Sequence, residues 1–206
     1  MRTDTIETFL HGLAAREPAP GGGASAALHA AQAAALLGMV ARYSDGAKYA
    51  RHATDIEEVR DAADDLRARA LGLAEQDAEA FGAVGAAYRL PKETTADKNA
   101  RTQAIAAALA EAGRVSARVI AAAERLVDLA ERLRPIGNAN VITDVAAAAA
   151  AARAAASTAR VNIEANLAGT ADPEVCAELG EALVKTDDLL ARTDEITHAV
   201  REEILR

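Results

Sequence analysis

Residues 144–157 read DVAAAAAAARAAAS, and this alanine run limits the fold more than any other stretch of the chain. Alanine has the highest helix propensity, and alanine faces let neighbouring helices approach closely. Hydrophobic residues make up 51% of the 206 residues, whereas aromatic residues make up 2% and tryptophan is absent. A sizeable core can be buried, but it must be small and aliphatic. Because no segment alternates apolar and polar residues convincingly, the sequence predicts an all-α fold of closely spaced helices.

Capping residues and prolines divide the chain into about six helices. The expected helices cover about 3–15, 24–43, 54–88, 95–135, 141–167 and 173–206. Thr54 with Glu57 resembles a capping box, and Asp172 before Pro173 resembles an N-cap followed by a first-turn proline. The links are short, and none resembles an interdomain linker. The sequence therefore predicts one domain over residues 1–206, an antiparallel helical bundle whose first helix is short.

The overall composition excludes some functions. The formal net charge is −8, whereas a general nucleic-acid binder needs a basic stripe. Cys176 is the single cysteine, so neither a disulfide framework nor a multi-cysteine zinc site is expected. The N-terminal residues MRTDTIETFLHGLAARE are acidic where a signal peptide is apolar, and no stretch looks long and apolar enough to cross a membrane. We expect a soluble, cytoplasmic protein with no nucleic-acid or membrane partner.

Three consecutive glycines, Gly21 to Gly23, stand in the stretch PAPGGGASAAL at residues 18–28. Glycine costs about 1 kcal/mol relative to alanine inside a helix, so the run is expected to precede a helix that starts near Ala24. Free backbone N–H groups there favour a carboxylate or phosphate, to which the Ser25 hydroxyl adds a donor. The alternative is a tight turn with close helix packing. A P-loop is excluded because the Gly-Lys-Ser/Thr ending is absent.

One carboxylate interrupts an apolar helical stripe between residues 54 and 88. The stripe steps by three or four residues and comprises Leu66, Ala70, Leu73, Asp77, Phe81, Val84 and Tyr88. Burying an acid is costly unless it is paired or lies at a cleft. Because desolvation raises the pKa of such an acid, Asp77 is a candidate for proton transfer. The alternative is a structural aspartate paired with a lysine or arginine on the next helix.

A second stripe of small and polar residues runs along 141–167. Its members are Asp144, Ala148, Ala151, Ala155, Thr158 and Asn162. This face lines a groove for a flat polar ligand or, alternatively, forms a tightly packed seam between helices. The four histidines are scattered without a matching carboxylate at metal-site spacing, so no metal is predicted. An otherwise apolar helix is interrupted by His29 and Gln32. These two side chains are expected to face either a ligand or the surface.

Three longer segments resemble the cyclodeaminase/cyclohydrolase family, which includes the C-terminal domain of formiminotransferase-cyclodeaminase and bacterial methenyltetrahydrofolate cyclohydrolases. The segments are PAPGGGASAALHAAQAAALLGMVARYS, EQDAEAFGAVGAAYRLPK and PIGNANVITDVAAAA. The resemblance covers about residues 5–172. It implies an all-helical homodimer that binds a tetrahydrofolate derivative in a groove, without a metal, nucleotide or other cofactor. Both family reactions pass through a tetrahedral carbon between N5 and N10 of the folate and require proton transfer.

The resemblance also implies roles for individual residues. The matched positions are Gly21, Gly22, Gly23, Ser25, Asp77, Glu79, Asn138, Asp144, Asn162 and Asn166. Asp77, in the motif DAEAF, is implied as the proton-transfer group, with Asp144 as a second catalytic acid. The glycines and Ser25 are implied to meet the folate or its glutamate tail. Glu79 and the three asparagines are implied to bind substrate, the asparagines at the pterin edge.

The chain departs from the family pattern in places. The usual lysine-rich stretch is shortened to Gly46-Ala47-Lys48-Tyr49, where Lys48 is expected to keep a catalytic role. Glu75 replaces a shorter acid, and Glu164 stands where an apolar residue is usual. These departures motivate an alternative function, a non-catalytic folate-binding or assembly module that keeps the dimeric bundle.

Of the two family activities, cyclohydrolase is expected ahead of cyclodeaminase because no transferase is fused to the sequence. For cyclodeaminase activity, a separate formiminotransferase partner would deliver the formimino group.

Overall fold

The computed structural model describes residues 2–170 and 172–206, and this part of the chain contains six α-helices and no strand. The helices are α1 (Ile6–Ala14), α2 (Gly22–Arg42), α3 (Ala53–Tyr88), α4 (Thr95–Leu133), α5 (Ile142–Leu167) and α6 (Pro173–Ile204). Two short 3-10 segments precede α3 and α5, at Ala47–His52 and Ala139–Val141. The all-helical prediction, with about six helices and a short first one, is confirmed.

Four helices enclose the core. Each of α2, α3, α4 and α5 packs against the next along the chain, and α5 packs back against α2, which closes the bundle. Helix α6 lies outside this ring against α4 and α5. Short connections between consecutive helices give the antiparallel arrangement. Helix α1 contributes no buried residue, and its Ile6 side chain is 80% exposed.

The core is built largely from alanine, as the composition predicted. Helix α2 places a stripe of fully buried alanines against its neighbours, Ala24, Ala27, Ala30 and Ala34. A matching stripe on α5 comprises Ala148, Ala152, Ala155 and Ala159. Since alanine side chains end at Cβ, the facing helices pack closely, and larger leucines such as Leu126 and Leu133 of α4 fill the remaining volume.

By length and composition alone, α2 is apolar enough to cross a membrane, so the prediction that no stretch meets this criterion is wrong. Most of this helix is buried inside the bundle against α3 and α5, as expected for the central helix of a helical core.

Capping residues in the sequence predicted some helix ends correctly and others incorrectly. Thr94 and Asp97 form a reciprocal capping box at the start of α4, and the Asp172 carboxylate accepts the Glu174 N–H at the start of α6. The expected capping box of Thr54 and Glu57 is wrong. Helix α3 begins one residue earlier, directly after a 3-10 segment, and has no side-chain cap.

Candidate functional site

A cavity of about 420 Å³ opens where the N-terminus of α2 meets the C-terminal parts of α3 and α5 and the middle of α4. It brings together six of the residues singled out from the sequence: Gly21, Gly22, Gly23, Asp77, Asn162 and Asn166. Its volume lies in the usual range of small-molecule sites. Two other cavities, of about 470 and 620 Å³, contain neither Asp77 nor these asparagines.

The carboxylate of Asp77 lies directly against the start of α2. A Cβ atom added to Gly23 would be 1.9 Å from Asp77 Oδ1 and 2.4 Å from its Cγ, closer than any real side chain approaches. The same atom on Gly22 would meet only Thr158 Cγ2 at 3.9 Å, and on Gly21 it would meet nothing within 4 Å. The third glycine is therefore required by the close approach of the carboxylate.

The helix register at this point differs from the prediction. Gly22 and Gly23 are the first two residues of α2 and Gly21 is its N-cap, whereas the helix was expected to begin after the glycines. Helix propensity was overridden because a residue without Cβ is needed in the first turn. The first N–H groups of this turn have no carbonyl partner within the helix, and that of Ala24 is hydrogen-bonded to the Asp77 carboxylate.

Burial raises the pKa of the Asp77 carboxyl above its ordinary value, and a hydrogen bond from the Ala24 backbone N–H lowers it by a smaller amount. No lysine or arginine in the described ranges forms an ion pair with Asp77. The alternative of a structural aspartate paired with a basic residue is therefore wrong for this part of the chain. A half-buried carboxyl with a raised pKa, beside a cavity, is suited to accept and return a proton.

The apolar stripe on α3 is only partly core. Ala70 and Leu73 are buried, but Phe81 and Tyr88 are each 52% exposed. Asp77 thus marks the point at which this face of α3 leaves the packed interior and becomes the cavity wall. Helical spacing alone assigned all seven positions to one buried face, because periodicity does not report where a neighbouring helix ends.

Sequence reasoning missed Ser116, which is 3% exposed and lines the same cavity from α4. Its hydroxyl donates to the Ala112 carbonyl at 3.3 Å. A lone serine at helical spacing from the apolar Leu109 and Ala112 was the signal that could have found it.

Two further predicted residues lie elsewhere. Ser25 lines the cavity of about 470 Å³ between α1, α2 and α3, together with His29 and Gln32. Glu79 is exposed on α3 and does not line the cavity that contains Asp77.

The remaining predicted residues lie at the opposite end of the bundle. Asn138 ties its loop to the end of α2, donating through Nδ2 to the Tyr43 carbonyl at 2.7 Å. Lys48 is exposed, with Nζ 5.3 Å from the centre of the Tyr49 ring. Asp144 is half-buried in the first turn of α5.

The length of α5 separates the two groups of residues. Asp144 lies in the first turn of this helix and Asn162 lies near its end, about 27 Å away at a rise of about 1.5 Å per residue. The catalytic role predicted for Lys48 and Asp144, and the binding role predicted for Asn138, therefore cannot be exercised at the Asp77 cavity of the same chain.

No group of three or more histidine, cysteine, aspartate or glutamate side chains converges on a metal-sized site within residues 2–170 and 172–206. The absence of a metal or cofactor from the mechanism stays a prediction.

Comparison with known proteins shows similarity along the whole chain. The family model for formiminotransferase-cyclodeaminase matches residues 5–185. A methenyltetrahydrofolate cyclohydrolase of Methylorubrum extorquens is 38% identical over 98% of this chain and 96% of its own length. A formimidoyltransferase-cyclodeaminase of Rattus norvegicus is 30% identical over 82% of this chain, which spans 31% of that longer protein.

A solved structure of a related protein has the same fold. The crystal structure of formiminotetrahydrofolate cyclodeaminase from Thermotoga maritima superposes with a TM-score of 0.88 and 27% identity, covering 100% of this chain and 99% of that chain. Together with the sequence matches, this superposition shows that the chain belongs to the formiminotransferase-cyclodeaminase family.

Proposed function

We propose that this chain is a folate one-carbon enzyme that interconverts 5,10-methenyltetrahydrofolate and 10-formyltetrahydrofolate. The relative from Methylorubrum extorquens, a named methenyltetrahydrofolate cyclohydrolase, supports this activity because it matches nearly the full length of both chains. The observation that carries the proposal is the Asp77 carboxyl, whose pKa is raised by burial at the wall of a cavity of about 420 Å³.

The chemistry requires one proton acceptor that also serves as a donor. Water adds to the carbon between N5 and N10, and the Asp77 carboxylate accepts a proton from that water. Cleavage of the bond from this carbon to N5 then requires a proton on N5, which the Asp77 carboxylic acid returns. The remaining carbonyl stays on N10 as the formyl group, and one proton is released to solvent. The raised pKa suits the Asp77 carboxyl to both transfers, because it makes the carboxylate a stronger proton acceptor and lets the carboxylic acid persist to higher pH.

The other cavity residues fit roles in binding. Asn162 and Asn166 lie one turn apart on α5, and their amides provide donors and acceptors for the edge of a pterin. The start of α2 stabilises negative charge, and the group closest to it in the structure is the carboxylate of Asp77. We therefore assign the glycine turn first to holding Asp77, and second to binding a polar part of the folate.

Cyclodeaminase activity is the second candidate, favoured by the superposition on the cyclodeaminase of Thermotoga maritima. The same cavity serves this reaction, in which N10 of the folate attacks the formimino carbon. The proton of N10 and one further proton are transferred to the formimino nitrogen, which leaves as ammonia. A separate formiminotransferase would then supply the substrate.

The test is a spectrophotometric assay of the purified protein with each substrate. Loss of the methenyl absorbance above the spontaneous rate identifies a cyclohydrolase, whereas its appearance from 5-formiminotetrahydrofolate, with ammonia, identifies a cyclodeaminase. Asp77→Asn is expected to lower the rate by about 10²- to 10⁴-fold. Glu79→Gln, two residues further along α3 and exposed, should keep the wild-type rate. Folate binding without turnover in the wild type supports the non-catalytic alternative and refutes both activities.

We also propose that the enzyme acts as a homodimer in the cytoplasm, with the Lys48 and Asp144 end of one chain docked at the Asp77 cavity of its partner. Its support is the catalytic role that the resemblance implies for Lys48 and Asp144, combined with the separation of about 27 Å along α5 between Asp144 and the cavity of its own chain, because a second copy would bring these groups to that cavity. Co-expressing Asp77→Asn and Asp144→Asn chains should restore about a quarter of the wild-type activity, because half of the dimers would contain one intact site. A monomeric mass, or no recovery on mixing, contradicts the proposal.

A further inference from the structure

Phe81 is an exposed aromatic side chain at a site where most apolar groups are small. The chain contains two phenylalanines and no tryptophan, so aromatic surface is scarce. Phe81 is 52% exposed and is the aromatic residue among the described residues that line the Asp77 cavity. Half of the residue is therefore accessible, at a cavity that a ligand could enter.

The position of Phe81 relative to the reacting group is fixed by the helix. Asp77 and Phe81 are four residues apart on α3, so their Cβ atoms are about 5–6 Å apart on the same face. Val84 extends this face by another turn and also lines the cavity. A planar ring lying on Phe81 therefore has its edge beside the Asp77 carboxyl.

The other helices contribute chemically different residues to the cavity lining. Asn162 and Asn166 provide amides from α5, whereas Leu109 and Ala112 of α4 add apolar surface. A cavity lined by an aromatic side chain, small apolar groups and amides is complementary to a flat ring that has apolar faces and polar edges.

We infer that Phe81 is the platform on which a planar aromatic ring of the folate stacks, so that it determines the affinity for the folate while Asp77 moves the proton. This inference rests on the proposed function and adds a substrate-binding residue to it. The ring is either the pteridine or the aminobenzoyl group, which lie on the two sides of the reacting carbon.

The experiment compares Phe81→Leu and Phe81→Tyr with Tyr88→Leu. Leucine keeps the apolar volume but removes the flat face, and tyrosine restores that face. Tyr88 is a matched control because it lies on the same helix with the same 52% exposure, while its ring contacts Arg101 rather than the cavity. The measurements are kcat and KM with 5,10-methenyltetrahydrofolate, the Kd of tetrahydrofolate by calorimetry, and the molecular mass of each variant.

Stacking of one ring on an aromatic side chain predicts that Phe81→Leu raises KM and Kd by about 5- to 150-fold. We expect kcat to change by less than about threefold, Phe81→Tyr to restore the wild-type values, and Tyr88→Leu to leave them unchanged. Competition by a tetrahydropterin and by p-aminobenzoylglutamate then identifies the ring, since only the fragment that stacks should bind Phe81→Leu more weakly.

Unchanged KM and Kd in Phe81→Leu, beside an active wild type, would overturn the inference and leave the proposed function intact. A loss of affinity that accompanies a fall in molecular mass would also overturn it, because Phe81 would then be an interface residue. A wild type that neither binds nor converts a folate overturns both proposals.

Discussion

Gly23→Ala is the substitution that most directly tests how the glycine turn acts. An added Cβ would lie 1.9 Å from Asp77 Oδ1, whereas ordinary contacts begin at about 3.4 Å. The carboxylate must therefore move by about 1.5 Å or rotate away from the start of α2. A displacement of about 1 Å can cost about 100-fold in rate when the group takes part in the reaction.

The effect on stability should be much smaller. Alanine is favoured over glycine within a helix by up to about 1 kcal/mol, and this gain offsets part of the overpacking cost of about 1–3 kcal/mol. The unfolding free energy should fall by no more than about 2 kcal/mol. For a chain of this size, the corresponding decrease in Tm is no more than about 8 °C.

The matched control is Gly22→Ala, whose Cβ would meet only Thr158 Cγ2 at 3.9 Å. We expect Gly23→Ala to lose about 100-fold or more in kcat/KM in the methenyl absorbance assay, and Gly22→Ala to stay within about threefold of the wild type. Wild-type activity in Gly23→Ala would refute the argument that the turn positions Asp77. Equal losses in both variants with a collapse of Tm would instead indicate that the glycines serve packing alone.

Three other outcomes follow from the structure. Asp77→Asn should raise Tm at neutral pH, because burial raises the folded-state pKa of Asp77 and the ionised carboxylate therefore opposes folding. The gain in Tm should vanish as the pH falls below about 4, where the carboxyl is protonated in both states, and a gain independent of pH would contradict this reasoning. Because the Ser116 hydroxyl lines the cavity, Ser116→Ala should remove one hydrogen bond to the bound folate and lower kcat/KM by about 2- to 10-fold. Ser157→Ala is the control and should leave kcat/KM unchanged, because the Ser157 hydroxyl bonds a carbonyl on α5 outside the cavity. In thermal melts, Gly113→Ala should lower the unfolding free energy by about 1–3 kcal/mol, because its Cβ would lie 2.5 Å from a buried leucine. Gly180→Ala is the control and should not lose stability, because a Cβ there faces open space.

The family assignment changes how these residues are interpreted. The helical stripe alone predicts a special role for Asp77, and the structure places this residue beside Gly23, at the cavity that Asn162 also lines. These three residues come from three different helices, so their convergence supports a shared role more strongly than a short motif does. The groups at the other end of the bundle, around Lys48 and Asp144, have a role at this cavity only if a second chain supplies them.

The sequence by itself determined the helices and the character of the core. Helical periodicity and caps such as Thr94 and Asp172 act within a few residues, so they can be recognised without knowing the fold. The scarcity of aromatic residues determined a core of alanine and leucine. The acid at position 77 was also identifiable, because a charge within an apolar stripe is visible in the spacing.

Only the tertiary structure decided which parts of each stripe are covered. Helices α3 and α4 are 36 and 39 residues long but α2 has 21, so the C-terminal part of α3 continues beyond the start of α2. That difference in length exposes Phe81 and opens the cavity beside Asp77. The contact between Gly23 and Asp77 joins positions 54 residues apart. It depends on how two helices meet, and no local pattern of residues contains that information.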